Sequence, residues 1–190
     1  MAVAQRMSEQ EYERFVESHP DGQWELHDGV LVEKPGMSWR HLDVIGELVH
    51  LLRSQLDRSQ YAVFAEGRAR RPTDTIFLPD VMVLPAAYGR DIADDPGLAI
   101  FSEPLLLVVE VWSQSTGDYD LNAKIPVYQQ RGDRDIWRLH PFERTLLRRV
   151  RQPDGSYIES IHHGGIVTLA ALPDVEIDLD WLLGGGLPAR

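Results

Sequence analysis

The feature that most constrains this fold is a five-residue apolar run, Leu105–Val109, that ends on an acid, Glu110. A run this apolar is typical of a strand that is covered on both faces. It is far shorter than the ~20 residues that span a bilayer, so it predicts a central strand over Pro104–Trp112. A carboxylate at the end of such a strand is costly to ionise unless a cation or hydrogen bonds meet it. The sequence therefore predicts a charged or hydrogen-bonding partner for Glu110.

A second acid, Asp80, stands near the end of another apolar stretch, Thr75–Val83. Alternation along this predicted strand places Asp80 on the same face as Ile76, Leu78 and Met82. Pro79, directly before the acid, favours an edge, a bulge or the start of a strand, because proline lacks a backbone N–H.

Two such acids and a nearby lysine, Lys124, are what metal-assisted phosphodiester cleavage needs. Mg²⁺ takes oxygen ligands, commonly one or two carboxylates with waters and phosphate oxygens. The metal lowers the pKa of a bound water, and a lysine beside it steadies the charge that builds on phosphorus. The other interpretation is structural: backbone amides or arginines hold both acids in place. The residues alone leave both interpretations open.

Composition bounds the class of protein. A chain of 190 residues predicts a single domain over residues 1–190, with a core from about residue 8 to 183 and a disordered tail at 184–190. The absence of cysteine excludes disulfides and cysteine-based zinc sites, and it fits a cytoplasmic location. We find no signal-peptide or membrane-spanning pattern. The net charge of −11 disfavours a protein that coats nucleic acid through bulk electrostatics.

Hydrophobic periodicity predicts an α/β (α+β) fold, with a mixed β-sheet flanked by helices and an N-terminal β-hairpin. Asp28-Gly29 is the predicted hairpin turn, and Ser8 with Glu11 forms a capping box before the first helix. The segment 85–101 is predicted to be a loop. The predicted helices cover residues 9–18, 39–56 and about 121–131, and the predicted strands cover residues 24–26, 30–32, 61–66, 75–83, 104–112, 135–139, 145–150 and 157–160.

The order and spacing of several motifs resemble the Uma-two family of restriction endonucleases, members of the PD-(D/E)XK nuclease superfamily. The resemblance covers most of the chain, from about residue 8 to 183, and implies a restriction-endonuclease-like core. The matching pieces are Trp24–Gly29, His41 at the start of the long helix, Pro79-Asp80-Val81, Pro104–Thr116, Lys124–Tyr128, Gly132 and Ile136-Trp137.

The resemblance implies that Asp80 and Glu110 bind the metal and that Lys124 completes the catalytic set. In the general superfamily pattern the lysine comes two residues after the second acid, where this chain has Trp112, so a lysine from the following helix takes its place. Glu25 is implied as an accessory acid and His41 as a phosphate contact. The residues alone allow a structural alternative for each of these three side chains. Glu25 would form a surface ion pair, His41 would lie at the edge of the core, and Lys124 would be solvated early in a helix.

The chain also departs from the family pattern at two positions. Trp112 stands where an aliphatic residue is more usual. His140, before Pro141, stands where relatives usually carry an acid. Neither departure removes an implied metal ligand.

The implied function is an endonuclease that hydrolyses DNA with Mg²⁺ or Mn²⁺. Arg68 and Arg70 are candidates for substrate contacts, whereas a second basic group, Arg144 to Arg151, is expected to form a solvated charged edge. A homodimer is expected because two-fold dimers are the commonest oligomers and a duplex has two strands. The competing hypothesis is a binding or assembly module that keeps the nuclease fold with little or no catalysis.

Overall fold

The structure is a computed structural model, and it describes residues 6–90, 92–115 and 117–184. The helices are α1 (Glu9–Ser18), α2 (Trp39–Gln55), α3 (Gly117–Tyr119), α4 (Ile125–Arg131) and α5 (Leu179–Gly184), with a 3-10 turn at Ala86–Gly89 and a π-helical segment at Asp120–Lys124. The strands are β1 (Trp24–His27), β2 (Val30–Glu33), β3 (Tyr61–Ala65), β4 (Arg68–Arg71), β5 (Thr75–Phe77), β6 (Val81–Pro85), β7 (Ile100–Phe101), β8 (Leu107–Val111), β9 (Asp135–His140), β10 (Thr145–Arg151), β11 (Tyr157–His162), β12 (Ile166–Leu169) and β13 (Leu172–Asp178).

A six-stranded mixed sheet with the order β11-β10-β9-β8-β6-β3 forms the centre of the molecule. The predicted central strand is confirmed: β8 runs parallel to β9 and antiparallel to β6. Every residue of β8 is buried, Glu110 included. A strand in this position is covered on both faces, which explains its continuous apolar run.

Helices cover both faces of this sheet. Val44, Leu48 and Leu52 of α2 pack against one face. Ile125 and Tyr128 of α4 pack against the other. The predicted fold class, a mixed sheet flanked by helices, is therefore confirmed.

The predicted N-terminal hairpin is also confirmed, with β1 pairing antiparallel to β2 around Asp28-Gly29. It belongs to a second, five-stranded sheet with the order β2-β1-β5-β4-β7. The predicted capping box is present at the start of α1, where the Ser8 side chain accepts a hydrogen bond from Glu11 N–H. Within the predicted 85–101 loop the structure adds the 3-10 turn and the short strand β7.

The prediction of one continuous strand over Thr75–Val83 is wrong. This segment divides into β5 in the five-stranded sheet and β6 in the six-stranded sheet. Pro79 lies in the connection, where its missing N–H costs no ladder hydrogen bond. Asp80 follows it between the two sheets, rather than on a strand face shared with Ile76.

The third predicted helix begins earlier than expected. Pro126 suggested a first turn near Leu121–Ile125, but the helical run starts at Gly117 and contains a π-helical segment before α4. In that segment the Ile125 N–H bonds to the Asp120 carbonyl, five residues back. Local π-helical turns inside helices are frequent at functional sites.

The C-terminal part of the chain adds elements that the sequence patterns did not predict. Strands β12 and β13 form a separate two-stranded sheet, and α5 follows it. The predicted disordered tail lies outside the described residues, apart from Gly184 at the end of α5. None of the helices in the described part of the chain is long and apolar enough to cross a membrane.

The expectation that Arg144 to Arg151 form a solvated edge is wrong for Arg148. Its guanidinium donates two hydrogen bonds, of 2.9 and 2.7 Å, to the carboxylate of Asp135. Asp135 is fully buried, so this pair is part of the internal structure. Arg149 forms an ion pair of 2.6 Å with Glu159, which is half exposed.

Two glycine substitutions are predicted to have opposite effects on stability. Gly132 ends α4 at φ = 80°, in the left-handed region. Gly132→Ala should lower the free energy of unfolding by about 1 kcal/mol, because a Cβ disfavours that conformation. Gly46 lies exposed inside α2 with open space around its Cα, so Gly46→Ala should raise the free energy by about 0.5–1 kcal/mol. Urea unfolding followed by circular dichroism measures both values, and equal signs would contradict the assignment.

Candidate active site

Lys124 is buried among three carboxylates. It ends the π-helical segment with a relative exposure of 1%. Its Nζ lies 2.9 Å from Glu25 Oε1, 3.3 Å from Glu110 Oε2 and 3.3 Å from Asp120 Oδ1. Asp120 and Lys124 are four residues apart and face the same side of the helical run. The end of β8, the end of the π-helical segment and the N-terminal hairpin therefore meet at one ammonium group.

Asp80 is held by a different set of groups on the other side of the site. Its Oδ2 accepts a hydrogen bond of 2.7 Å from the N–H of Val111, the residue after Glu110. Its Oδ1 lies 2.9 Å from Lys34 Nζ, which also donates a 3.0 Å bond to the Leu78 carbonyl. His41 Nε2 lies 3.4 Å from Asp80 Oδ2. The Val111 contact ties Asp80 directly to the strand that carries Glu110.

Two further contacts fix the orientation of the acids. Glu25 Oε1 accepts a 2.8 Å hydrogen bond from the Leu78 N–H, which links the hairpin to the segment before Asp80. The hydroxyl of Tyr128, in α4, donates a 2.5 Å bond to Glu110 Oε1. Glu110 is thus contacted on one oxygen by a phenol and on the other by Lys124.

The space between these groups is small. We call it the acid cleft, and its volume is about 10 Å³. That is close to the room that one water molecule needs. Its lining consists of Lys34, Pro35, Gly36, Met37, His41, Asp80, Glu110, Ser113, Asp120 and Lys124.

The pKa of Asp80 lies well below its ordinary value. Burial by itself raises this pKa, but the charge of Lys34 and the hydrogen bond and charge of His41 outweigh it. The pKa of Lys34 is raised, because the attraction of Asp80 exceeds the opposing effect of burial. Asp80 and Lys34 therefore form an ionised pair with side-chain exposures of 2% and 8%.

Glu110 differs from Asp80 in its electrostatics. Burial raises its pKa well above the ordinary value, and the negative charges of Asp120 and Asp80 add to this effect while Lys124 opposes it. Burial lowers the pKa of Lys124, but Glu110, Glu25 and Asp120 raise it well above the ordinary value. Two carboxyl groups in one cleft thus have pKa values moved in opposite directions, a pattern that is frequent at functional sites.

Comparison with known proteins identifies the family to which this chain belongs. A family model described as "Uma2: Putative restriction endonuclease" matches residues 9–180. The chain belongs to the Uma2 family. A solved structure titled as a putative nuclease belonging to DUF820 from Anabaena variabilis ATCC 29413 matches with a TM-score of 0.71 and 17% identity, over 85% of this chain and 89% of that chain. At that identity the likeness shows the fold, which agrees with the restriction-endonuclease-like core. A comparison with curated proteins gave no match.

Five of the predicted site residues meet in this Uma2 chain. The acid cleft is lined by four of them: Asp80, Glu110, Lys124 and His41. The fifth, Glu25, is not part of the lining but contacts Lys124 at 2.9 Å. The interpretations of Glu25 as a surface pair and of Lys124 as a solvated lysine are both wrong, since each is 1% exposed. His41 lies on the buried face of α2 as predicted, at 4% exposure.

Arg68 and Arg70 do not join this group. Both lie on β4 and make internal contacts. Arg68 Nε lies 3.3 Å from the Tyr12 hydroxyl. Arg70 donates to Ser102 Oγ at 2.8 Å and pairs with Glu9 at 3.2 Å.

Sequence reasoning missed three members of the site. Asp120 and Tyr128 lie four residues before and after Lys124, so helical spacing would have found them once Lys124 was placed. No pattern in the sequence indicates Lys34, which stands beside Pro35-Gly36 and reads as the end of a hairpin. Its role depends on the path of the chain between β2 and α2.

The two residues that depart from the family pattern, Trp112 and His140, contact each other. The rings of Trp112 and His140 stack with centroids 4.2 Å apart at 25°. Phe142 meets Trp112 edge to face at 5.9 Å. The side chain of Trp112 therefore points into an aromatic cluster, and Lys124 is the lysine that contacts the second acid, Glu110, at 3.3 Å.

The pair of Lys34 and Asp80 predicts a large coupling in stability. Lys34→Met should lower the free energy of unfolding by about 3 kcal/mol, because it leaves Asp80 buried without its closest cation. In the double variant with Asp80→Asn, the two losses should fall short of additivity by about 1–3 kcal/mol. Urea unfolding of the four proteins measures this coupling.

The control for that cycle is the pair of Arg149 and Glu159, whose side chains are 16% and 51% exposed. Arg149→Met should change the free energy of unfolding by less than about 1 kcal/mol, because Glu159 stays hydrated without its partner and ion pairs near the surface contribute little. Additive losses at Lys34 and Asp80 would mean that the two side chains are not paired in solution.

Proposed function

We propose that this Uma2 protein is a metal-dependent endonuclease that hydrolyses DNA phosphodiester bonds, with Mg²⁺ or Mn²⁺ as its cofactor. The observation that carries the proposal is the burial of Lys124 between Glu25 and Glu110, in a cleft that also contains Asp80. Membership in a family described as restriction endonucleases supports the broader nuclease assignment.

The side chains of the cleft fit a hard divalent cation. Glu25, Asp80, Glu110 and Asp120 carry four formal negative charges against the two positive charges of Lys34 and Lys124. The acids outnumber the cations, and the nearby charges of Asp120 and Asp80 contribute to the raised pKa of Glu110, which a divalent cation would relieve. No group of three or more histidine or acidic side chains among the described residues has the arrangement of a metal site. In this proposal the chain would supply only two ligands, Asp80 and Glu110, with water and phosphate oxygens completing the shell, as is common for Mg²⁺.

When bound, such an ion polarises the phosphate and lowers the pKa of a coordinated water. The chain's own groups would do the rest. Lys124 would orient the attacking water and steady the negative charge on phosphorus. Glu25 and Asp120 position Lys124, while the Val111 N–H and the Tyr128 hydroxyl keep Asp80 and Glu110 in place. His41, whose Nδ1 has no hydrogen-bond partner in the described part of the chain, would donate to a phosphate oxygen.

A second candidate function is a binding or assembly module with little catalysis. Lys34 favours it, because its ammonium lies 2.9 Å from the carboxylate that a metal would need. The net charge of −11 also opposes approach of a polyanion without a cation in the cleft. Detectable metal binding by calorimetry separates the two functions, since the module needs none.

Three further predictions remain proposals. We propose that residues 1–190 act as one domain, that the protein works in the cytoplasm, and that it forms a homodimer which cuts both strands of a duplex. Sedimentation equilibrium tests the dimer: a monomer mass throughout the micromolar range would contradict it.

Plasmid nicking with Mg²⁺ or Mn²⁺ is the direct test of the nuclease. Asp80→Asn, Glu110→Gln and Lys124→Met should each reduce the cleavage rate by at least about a hundredfold, because each removes a group that faces the reacting phosphate. Gel analysis of supercoiled, nicked and linear forms measures the rate. EDTA should abolish cleavage.

Asp133→Asn is the matched control for these variants. Asp133 is fully buried and pairs with Arg131 at 3.2 Å, outside the acid cleft. This variant should keep the rate of the parent protein. Cleavage that persists in folded Asp80→Asn and Glu110→Gln would point to a contaminant and exclude the proposed site.

A further inference from the structure

A second cavity lies directly beside the acid cleft. We call it the aromatic pocket; its volume is about 400 Å³. That is within the ~300–1,000 Å³ typical of small-ligand sites. Gly36 and Ser113 line both the pocket and the acid cleft. A ligand in the pocket would therefore be continuous with a phosphate at the acids.

Two aromatic side chains form the apolar part of the pocket. Trp112 is half-buried and is fixed by its stack with His140. Phe142 meets it edge to face and is 62% exposed, so much of its ring is accessible to a ligand. Exposed aromatic faces held in place by neighbours are the surfaces on which unpaired nucleobases stack.

The remaining lining of the pocket is polar and uncharged. Ser38, Ser113, Gln114 and Ser115 supply hydroxyl and amide groups. Gln114 is exposed, and its amide offers both a donor and an acceptor, which suits the edge of a base. Among the described residues that line the pocket none is charged, so its chemistry suits a planar, neutral, hydrogen-bonding ring rather than a phosphate.

From these contacts we infer that the aromatic pocket binds one unpaired nucleobase of the DNA strand whose phosphate enters the acid cleft. The inference rests on the proposed function and narrows its substrate to single-stranded or locally unpaired DNA. Trp112 and Phe142 are base-binding residues in this arrangement. The pocket supplies affinity through stacking rather than through positive charge, and the net charge of this protein is −11.

The test uses a short single-stranded oligodeoxynucleotide that carries 2-aminopurine between thymidines, with the full-length protein in EDTA and, in parallel, in Ca²⁺. Stacking on an aromatic ring quenches the emission of 2-aminopurine. The parent protein should quench the single strand, and a duplex with the probe base paired should bind at least about tenfold more weakly. Phe142→Ala should weaken single-strand binding about tenfold and reduce the quench, since one base–aromatic stack contributes about 5- to 150-fold.

Two variants separate stacking from other effects. Phe142→Leu keeps an apolar side chain but loses the ring face, so it should behave like Phe142→Ala. Phe64→Ala removes another partly exposed phenylalanine, which lines a separate cavity with Arg53 and Tyr61, and it should bind like the parent. Because Phe142 is largely exposed, its truncation should leave the protein folded, as circular dichroism would verify.

The results of these experiments test the base-binding pocket and the nuclease activity separately. Quenching that depends on Phe142 in a protein that cuts no DNA supports the pocket and counts against the nuclease. Cleavage with a KM that is unchanged in Phe142→Ala, together with unchanged binding, overturns the pocket and leaves the nuclease standing. Equal binding of single strand and duplex, or no binding of the probe in either buffer, also overturns the pocket.

Discussion

The rest of this site depends on one buried cation, the ammonium of Lys124. Three carboxylates lie within 3.3 Å of it, from the N-terminal hairpin, the central strand and the π-helical segment. Removing Lys124 would leave three carboxylates together in a buried region without their shared cation, and such losses are large. The same ammonium therefore holds three parts of the chain together and stands beside the proposed reaction centre. Structural and catalytic roles for Lys124 do not exclude each other.

Lys34 gives Asp80 a comparable partner on the other side of the cleft, and the two acids differ as a result. The charge of Lys34 and the hydrogen bond and charge of His41 hold the pKa of Asp80 low. Glu110 is equally buried, at 2% exposure, but burial and the nearby charges of Asp120 and Asp80 raise its pKa. An acid cleft of about 10 Å³ has little room for a substrate.

In the proposed function, the aromatic pocket and the acid cleft would recognise different parts of a nucleotide. The cleft presents carboxylates and ammonium groups, which suit a cation and a phosphate. The pocket presents ring faces, hydroxyls and an amide, which suit a base. Trp112 connects the two, because it follows the central strand just beyond Glu110 and lies against His140. Trp112, which occupies the usual position of the lysine, thus forms part of the aromatic pocket.

The sequence by itself determined the central strand, the acid at its end, the hairpin and the long helix with His41 on its inner face. These follow from local patterns: an apolar run, an Asp-Gly turn and helical spacing. The family resemblance added Lys124 as partner to Asp80 and Glu110, and the tertiary structure brings them into one cleft. Only the tertiary structure decided that Thr75–Val83 splits between two sheets, that a π-helical segment turns Asp120 and Lys124 inward, and that Lys34 pairs with Asp80. The reason is physical: each of these depends on contacts between residues distant in sequence, and local propensity does not encode them.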